Sequence, residues 1–142
     1  MFFILVPYHI LCYDIWFYIT HLILHLPRIY FIHKIHHRKP YLQLKYSDTN
    51  EAHWIENVVQ PIGILIPCFT HGFYVSPLII SFIIISIRGL MRHDDRFSWL
   101  MGNHHLLHHK YPNYNFGEYW IDKTCCTLCP HKHEYIYGNI YT

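Results

Sequence analysis

The chain has 142 residues, which makes it one domain or a fragment of one. Hydrophobic residues make up 52% and charged residues 14%, against roughly 25% charged in an ordinary soluble domain, which excludes a disordered chain and argues against a freely soluble enzyme. The net charge of +2, carried by basic residues set between apolar stretches rather than in a polybasic tail, gives no basis for a nucleic-acid partner.

From Met1 to Pro27 the only charged residue is Asp14. This segment has no basic n-region and no small-residue cleavage site, so it does not read as a cleaved signal peptide. Pro7 and Asp14 interrupt it, which predicts an apolar lead-in over 1–12 and a helix over 13–26. From Arg28 to Glu56 the chain is polar, and 38–50 (RKPYLQLKYSDTN) reads as a loop. From Asn57 to Ile87 there follow 31 residues without one Asp, Glu, Lys or Arg. As one helix they would extend about 46 Å, beyond a hydrocarbon core of about 30 Å. Pro61, Pro67, Gly72 and Pro77 oppose a single straight helix and predict an apolar hairpin within about 57–88, out over 58–70 and back over 74–88. All eleven Lys and Arg lie in 28–45 or 88–132. If the hairpin returns to its starting side, both polar regions share one face, and the positive-inside rule makes that face cytoplasmic. The alternative is a hairpin buried in soluble protein. From Arg88 onward the chain is again polar and rich in His, Tyr and Trp, with a loop at 111–117 (YPNYNFG). The last residues, YGNIYT, match no retrieval or lipidation signal. The five cysteines are odd in number and two lie in apolar segments, which excludes a secreted disulfide framework.

Fifteen histidines lower the mean hydropathy to +0.09 and fall largely into clusters. His21 and His25 form HxxxH, His33, His36 and His37 form HxxHH, and His105, His108 and His109 form a second HxxHH. Residues three and four apart share a helix face, so each cluster aims two or three imidazoles to one side. At this histidine content HxxHH is expected only about 0.2 times by chance. Crowded imidazoles waste apolar area and set titratable groups against one another, and a shared metal removes both problems. More ligands are present than one ion can use, which implies two metals. His53 and His93, just before and just after the apolar run, are further candidate ligands. His104 ranks below its neighbour His105, and His9 and His71 read as hydrogen-bonded structural residues. Nitrogen ligands alone do not choose among Fe, Zn, Cu and Ni.

These residues resemble the fatty acid hydroxylase superfamily, which includes sterol desaturases and sterol methyl oxidases. Its three histidine boxes are matched in order at 21–25, 33–37 and 105–109, with an apolar hairpin between the second and third. DIWFYITHLILH (14–25) and LPRIYFIHKIHH (26–37) are similar to the family's helix and link through the first two boxes. AHWIE (52–56) is similar to its HPxE element, with Trp54 in place of proline. His93 with Trp99, and NFG (115–117) followed by Trp120 and Asp122, resemble its later signatures. HKIHH and HHLLHH look somewhat more like sterol methyl oxidases. The chain departs from the pattern at Leu22, where arginine is usual, and at 125–127, where CysCysThr replaces Gly-Thr.

The resemblance implies an all-α, membrane-associated protein, a single domain over 1–142 with a histidine-rich di-metal site at the cytoplasmic face of the endoplasmic reticulum. It implies an O2-dependent di-iron oxygenase acting on a sterol or fatty acyl lipid; zinc is possible in purified protein, because affinity order and availability favour it over iron. Glu56, Asp94 and Asp95 could orient the ligands. No flavin or nicotinamide motif is present, so electrons must come from outside, and the resemblance points to a small haem carrier and its reductase. Two other readings stay open: a structural zinc site built on Cys126 and Cys129 with Cys125, His131 and His133, and a non-catalytic membrane protein, either a metal-binding scaffold or a degenerate oxygenase.

Overall fold

A computed structural model of the chain describes residues 2–140; Met1, Tyr141 and Thr142 lie outside it, and with them the end of the YGNIYT reading. The described residues are helical without a strand. Two long apolar helices dominate, α1 (Phe2–Leu24) and α5 (Val75–Arg92). At 1.5 Å per residue they extend roughly 34 and 27 Å, long enough to cross a bilayer. Most residues of each are exposed or half-buried, with only 28% and 22% buried in their most apolar stretches, unlike the mostly buried core helix of a soluble protein. Phe3, Phe82 and Ile83 are among the side chains left facing outward.

The expected division of the first 26 residues is corrected: α1 runs unbroken through Pro7 and Asp14. The long-range partner of Asp14 explains the second point. Arg88 of α5 lies against it, with Nη1 donating to Oδ2 at 3.1 Å, and both side chains are buried. Glu118 accepts from Arg92 and lies 3.4 Å from Arg88, so two acids and two guanidiniums form one group, buried except at half-buried Arg92.

The apolar run does turn back on itself, but its outgoing arm is not one helix. It is α3 (Trp54–Val59), a 3-10 stretch over Gln60–Leu65, and α4 (Ile66–His71). Pro61 and Pro67 remove amide donors along this arm. Side chains of α1 take up carbonyls there: Trp16 Nε1 donates to Val59 O at 2.8 Å, and His9 Nδ1 to Ile64 O at 2.6 Å. Gly63 permits this approach, because a Cβ on it would lie 2.4 Å from Trp16 Cβ. Buried His9 is thus the hydrogen-bonded structural residue expected. Gly72, at φ +85, closes α4 before α5 begins.

The polar part is a set of short helices at one end of α1 and α5: α2 (Tyr30–His33), α6 (Ser98–Met101), α7 (His104–Lys110) and α8 (Tyr119–Thr124). The segment after α8 returns over the start of α7. There Asn103 N donates to Ile136 O at 3.1 Å, and Ile136 N to Asn103 Oδ1 at 2.9 Å.

Candidate metal centre

Four segments converge: the last turn of α1, the α2 region, the residue capping α5, and α7. They bring nine imidazoles into two adjoining clusters, His21, His25, His33, His37 and His108 in one, and His36, His93, His105 and His109 in the other. Within each cluster the candidate donor atoms lie within 4.8 Å of one another. Helical geometry explains the partition. Residues four apart differ by about 40° around a helix and stay together, as in 21/25 and 105/109, and 33/37, which runs from the end of α2 into the turns after it, stays together as well. Residues three apart turn about 60° the other way, and there the triplets split. His36 crosses to the second cluster and His108 to the first, so each triplet gives a ligand to its neighbour's site.

The Nε2 atoms face one another at close range. In the larger cluster the separations are 3.0 Å for His21–His33 and His33–His37, and 3.1 Å for His37–His108 and His25–His108. In the smaller cluster His93 Nε2 lies 3.0 Å from both His36 and His105. With metal–nitrogen bonds of about 2.1 Å, donors at a right angle would be about 3.0 Å apart and donors at the tetrahedral angle about 3.4 Å apart. The observed spacing is short enough for the rings of each cluster to share one ion.

Protonation makes the case for cations. His21 Nδ1 donates to Phe116 O at 2.6 Å, His108 Nδ1 to Tyr114 O at 2.6 Å, and His93 Nδ1 to Gly89 O at 2.9 Å. A carbonyl only accepts, so in each neutral ring Nδ1 holds the proton and Nε2 presents a lone pair inward. His33 Nδ1 is likewise directed at Glu56 Oε1, 2.8 Å away. His93 offers one lone pair to two neighbours at once. His105 Nδ1 and both nitrogens of His109 are buried without a hydrogen-bond partner. Lone pairs converging in a buried space are what a cation satisfies, and the residues fit two of them. Burial, reinforced by the neighbouring imidazoles, holds His37 and His93 down at about 3, so both are neutral and ligand-ready at physiological pH. Burial pushes Glu56 up to about 8, so its ionisation calls for positive charge nearby.

A cavity of about 530 Å³ lies between α1, the 60–65 stretch and α5. His21 and His33 of one cluster and His36, His93 and His105 of the other line it, facing walls that include Phe17, Ile64, Phe82 and Ile85. Both clusters therefore border a single, largely apolar space.

Of the candidate residues, His53 is not brought into either cluster. It caps α3, its Nδ1 accepting from Ile55 N at 3.3 Å. Glu56 contacts a cluster member, whereas Asp94 pairs with Arg96 and accepts from Tyr46 N, and Asp95 accepts from Ser98 Oγ at 3.0 Å. His104 points away from the clusters to Asp122, Nε2 to Oδ2 at 2.9 Å. Exposed His71 pairs with Thr70 Oγ1 at 2.8 Å. Among the described residues the cysteines join no metal-spaced group: Cys125 and Cys126 are exposed and Cys129 is buried. The carbonyls of Gly89, Tyr114 and Phe116 escaped sequence reasoning, because a backbone acceptor leaves no mark in residue identity.

A family model described as fatty acid hydroxylase matches residues 6–127. Neither a curated protein nor a solved structure matches the chain.

Proposed function

The chain belongs to the fatty acid hydroxylase family, and from that premise we propose that it hydroxylates or desaturates a sterol or fatty acyl lipid, using dioxygen at a histidine-held di-iron centre. The observation that carries this reading is the apolar cavity bordered by both imidazole clusters. Bound iron would supply, with dioxygen, the oxidising power toward an unactivated C–H bond that no side chain has. His21, His25, His33, His37 and His108 would hold one ion, and His36, His93, His105 and His109 the other.

The chain's own residues do the remaining work. Phe17, Ile64, Phe82 and Ile85 bind the hydrocarbon part of the substrate and exclude water from the cluster edge. Glu56 and the three carbonyls fix ring orientation, so the nitrogens meet the metals without rearrangement. The two apolar helices hold this cavity at a lipid surface, which we place at the cytoplasmic face of the endoplasmic reticulum. Electrons come from an external donor such as a small haem carrier with its reductase.

The test is product formation by detergent-purified protein supplied with iron, a reductant and candidate lipids. His21→Ala and His108→Ala are each expected to abolish turnover, while exposed Lys132→Ala leaves it unchanged. A wild-type chain that holds both irons, accepts electrons and modifies neither sterols nor acyl lipids would make it a non-catalytic metal-binding protein.

A further inference from the structure

Asp122 is fully buried, on α8, and touches none of the nine clustered imidazoles, yet it is among the most heavily engaged side chains in the polar part of the fold. Its Oδ1 accepts from Phe116 N at 2.9 Å and from Thr127 Oγ1 at 2.7 Å. Its Oδ2 accepts from Gly117 N and from His104 Nε2, both at 2.9 Å. Four donors fill the acceptor capacity of one carboxylate.

Two of these donors are successive amides of the 115–117 loop, and their capture fixes how that loop presents its other face. The Phe116 carbonyl is turned onto His21 Nδ1 at 2.6 Å. The Phe116 ring lies 5.2 Å from the His25 ring and 5.6 Å from that of His108. The loop is also held from behind. Asn115 takes a positive φ of 60, its Nδ2 donates to His104 O at 3.0 Å, and its Oδ1 accepts from Cys129 N at 2.8 Å. Gly117 lies so close to α1 that a Cβ on it would come within 2.9 Å of the Tyr18 ring. The loop is thus wedged between α1 and α7, with Asp122 setting its orientation.

We propose that Asp122 is a positioning residue for the five-histidine cluster, acting through the Phe116 carbonyl on the tautomer and orientation of His21 and through the Phe116 ring on the apolar cover over His25 and His108. The role rests on the metal-centre reading above. It predicts an effect weighted to one side: the four-histidine cluster takes its backbone acceptor from Gly89, near the C-terminal end of α5, and its link to this loop is indirect, through Asn115 Nδ2 on His104 O at the start of α7. Asparagine at 122 offers one acceptor oxygen. Whichever way it points, two of the four donors lose their partner, and one of those two is a 116–117 amide.

The experiment titrates cobalt(II) into the full chain in detergent and follows its absorption bands. Two backgrounds separate the clusters: His109→Ala leaves the five-histidine cluster complete, and His25→Ala leaves the four-histidine cluster complete. Asp122→Asn is expected to weaken cobalt binding about 10- to 100-fold in the first background and less than about two-fold in the second. Should Asp122→Asn fail to fold, Thr127→Val removes a single hydroxyl donor from the carboxylate, and a smaller loss confined to the first background is expected. Equal loss in both backgrounds, or none in the first, overturns the positioning role. A wild-type chain that takes up no cobalt at either cluster overturns the metal centre itself, and the role with it.

Discussion

His36 and His37 are neighbours in sequence, in the turns that follow α2, and face different centres. His36→Ala and His37→Ala are therefore each expected to reduce bound metal from two ions per chain toward one, by removing ligands from different clusters. The double variant is expected to lose most of both. Elemental analysis of detergent-purified protein checks this, and full metal content in the double variant would remove the basis for both centres. Residue spacing made the clusters legible from the sequence. It did not reveal the exchange of His36 and His108 between them, which depends on how three separate segments dock. Glu56 was legible as a candidate orienter and is the one of the three acids that meets an imidazole. Asp94 and Asp95, closer in sequence to a candidate ligand than Glu56 is, turn to Arg96 and Ser98 instead. Short sequence distance says little about which way a carboxylate points.

Among the elements, the 60–65 stretch is the most exacting. It lies against α1 with Gly63 on the Trp16 side chain, and no rotamer change relieves an added Cβ that meets another Cβ at 2.4 Å. Gly63→Ala is expected to destabilise the protein by about 1–3 kcal/mol, as overpacking does. A thermal melt in detergent measures it, and an unchanged midpoint would mean that the stretch does not pack so tightly. The turn-back of the apolar run was legible from its prolines and missing charges. The continuity of α1 was not. Asp14 looks like a helix interruption when read locally, and the Arg88 that accommodates it stands 74 residues away. The three-residue 3-10 turns at 41–43 and 46–48 fell within a segment read as loop, where periodicity is too short to register.

For the whole molecule, two long helices with outward apolar surface predict firm membrane association. The protein is expected to stay with membranes through a high-salt wash and to leave with detergent. Release by salt alone would show that these faces are covered by protein. The Asp14–Arg88 contact bears on how such a molecule is made. A lone acidic or basic side chain at mid-helix costs about 2.5–3.5 kcal/mol to insert, and a pair that enters together avoids most of that cost. Synthesis runs from Asp14 toward Arg88, so the first helix leaves the ribosome long before its counter-charge exists. Its stable residence in lipid is expected to wait for the second helix. A nascent chain stopped before residue 88 should remain extractable by alkali, whereas one extended past α5 should resist it. Replacing Asp14 with Asn would release the first helix from that delay, so the ion pair would set the order of events at the translocation machinery.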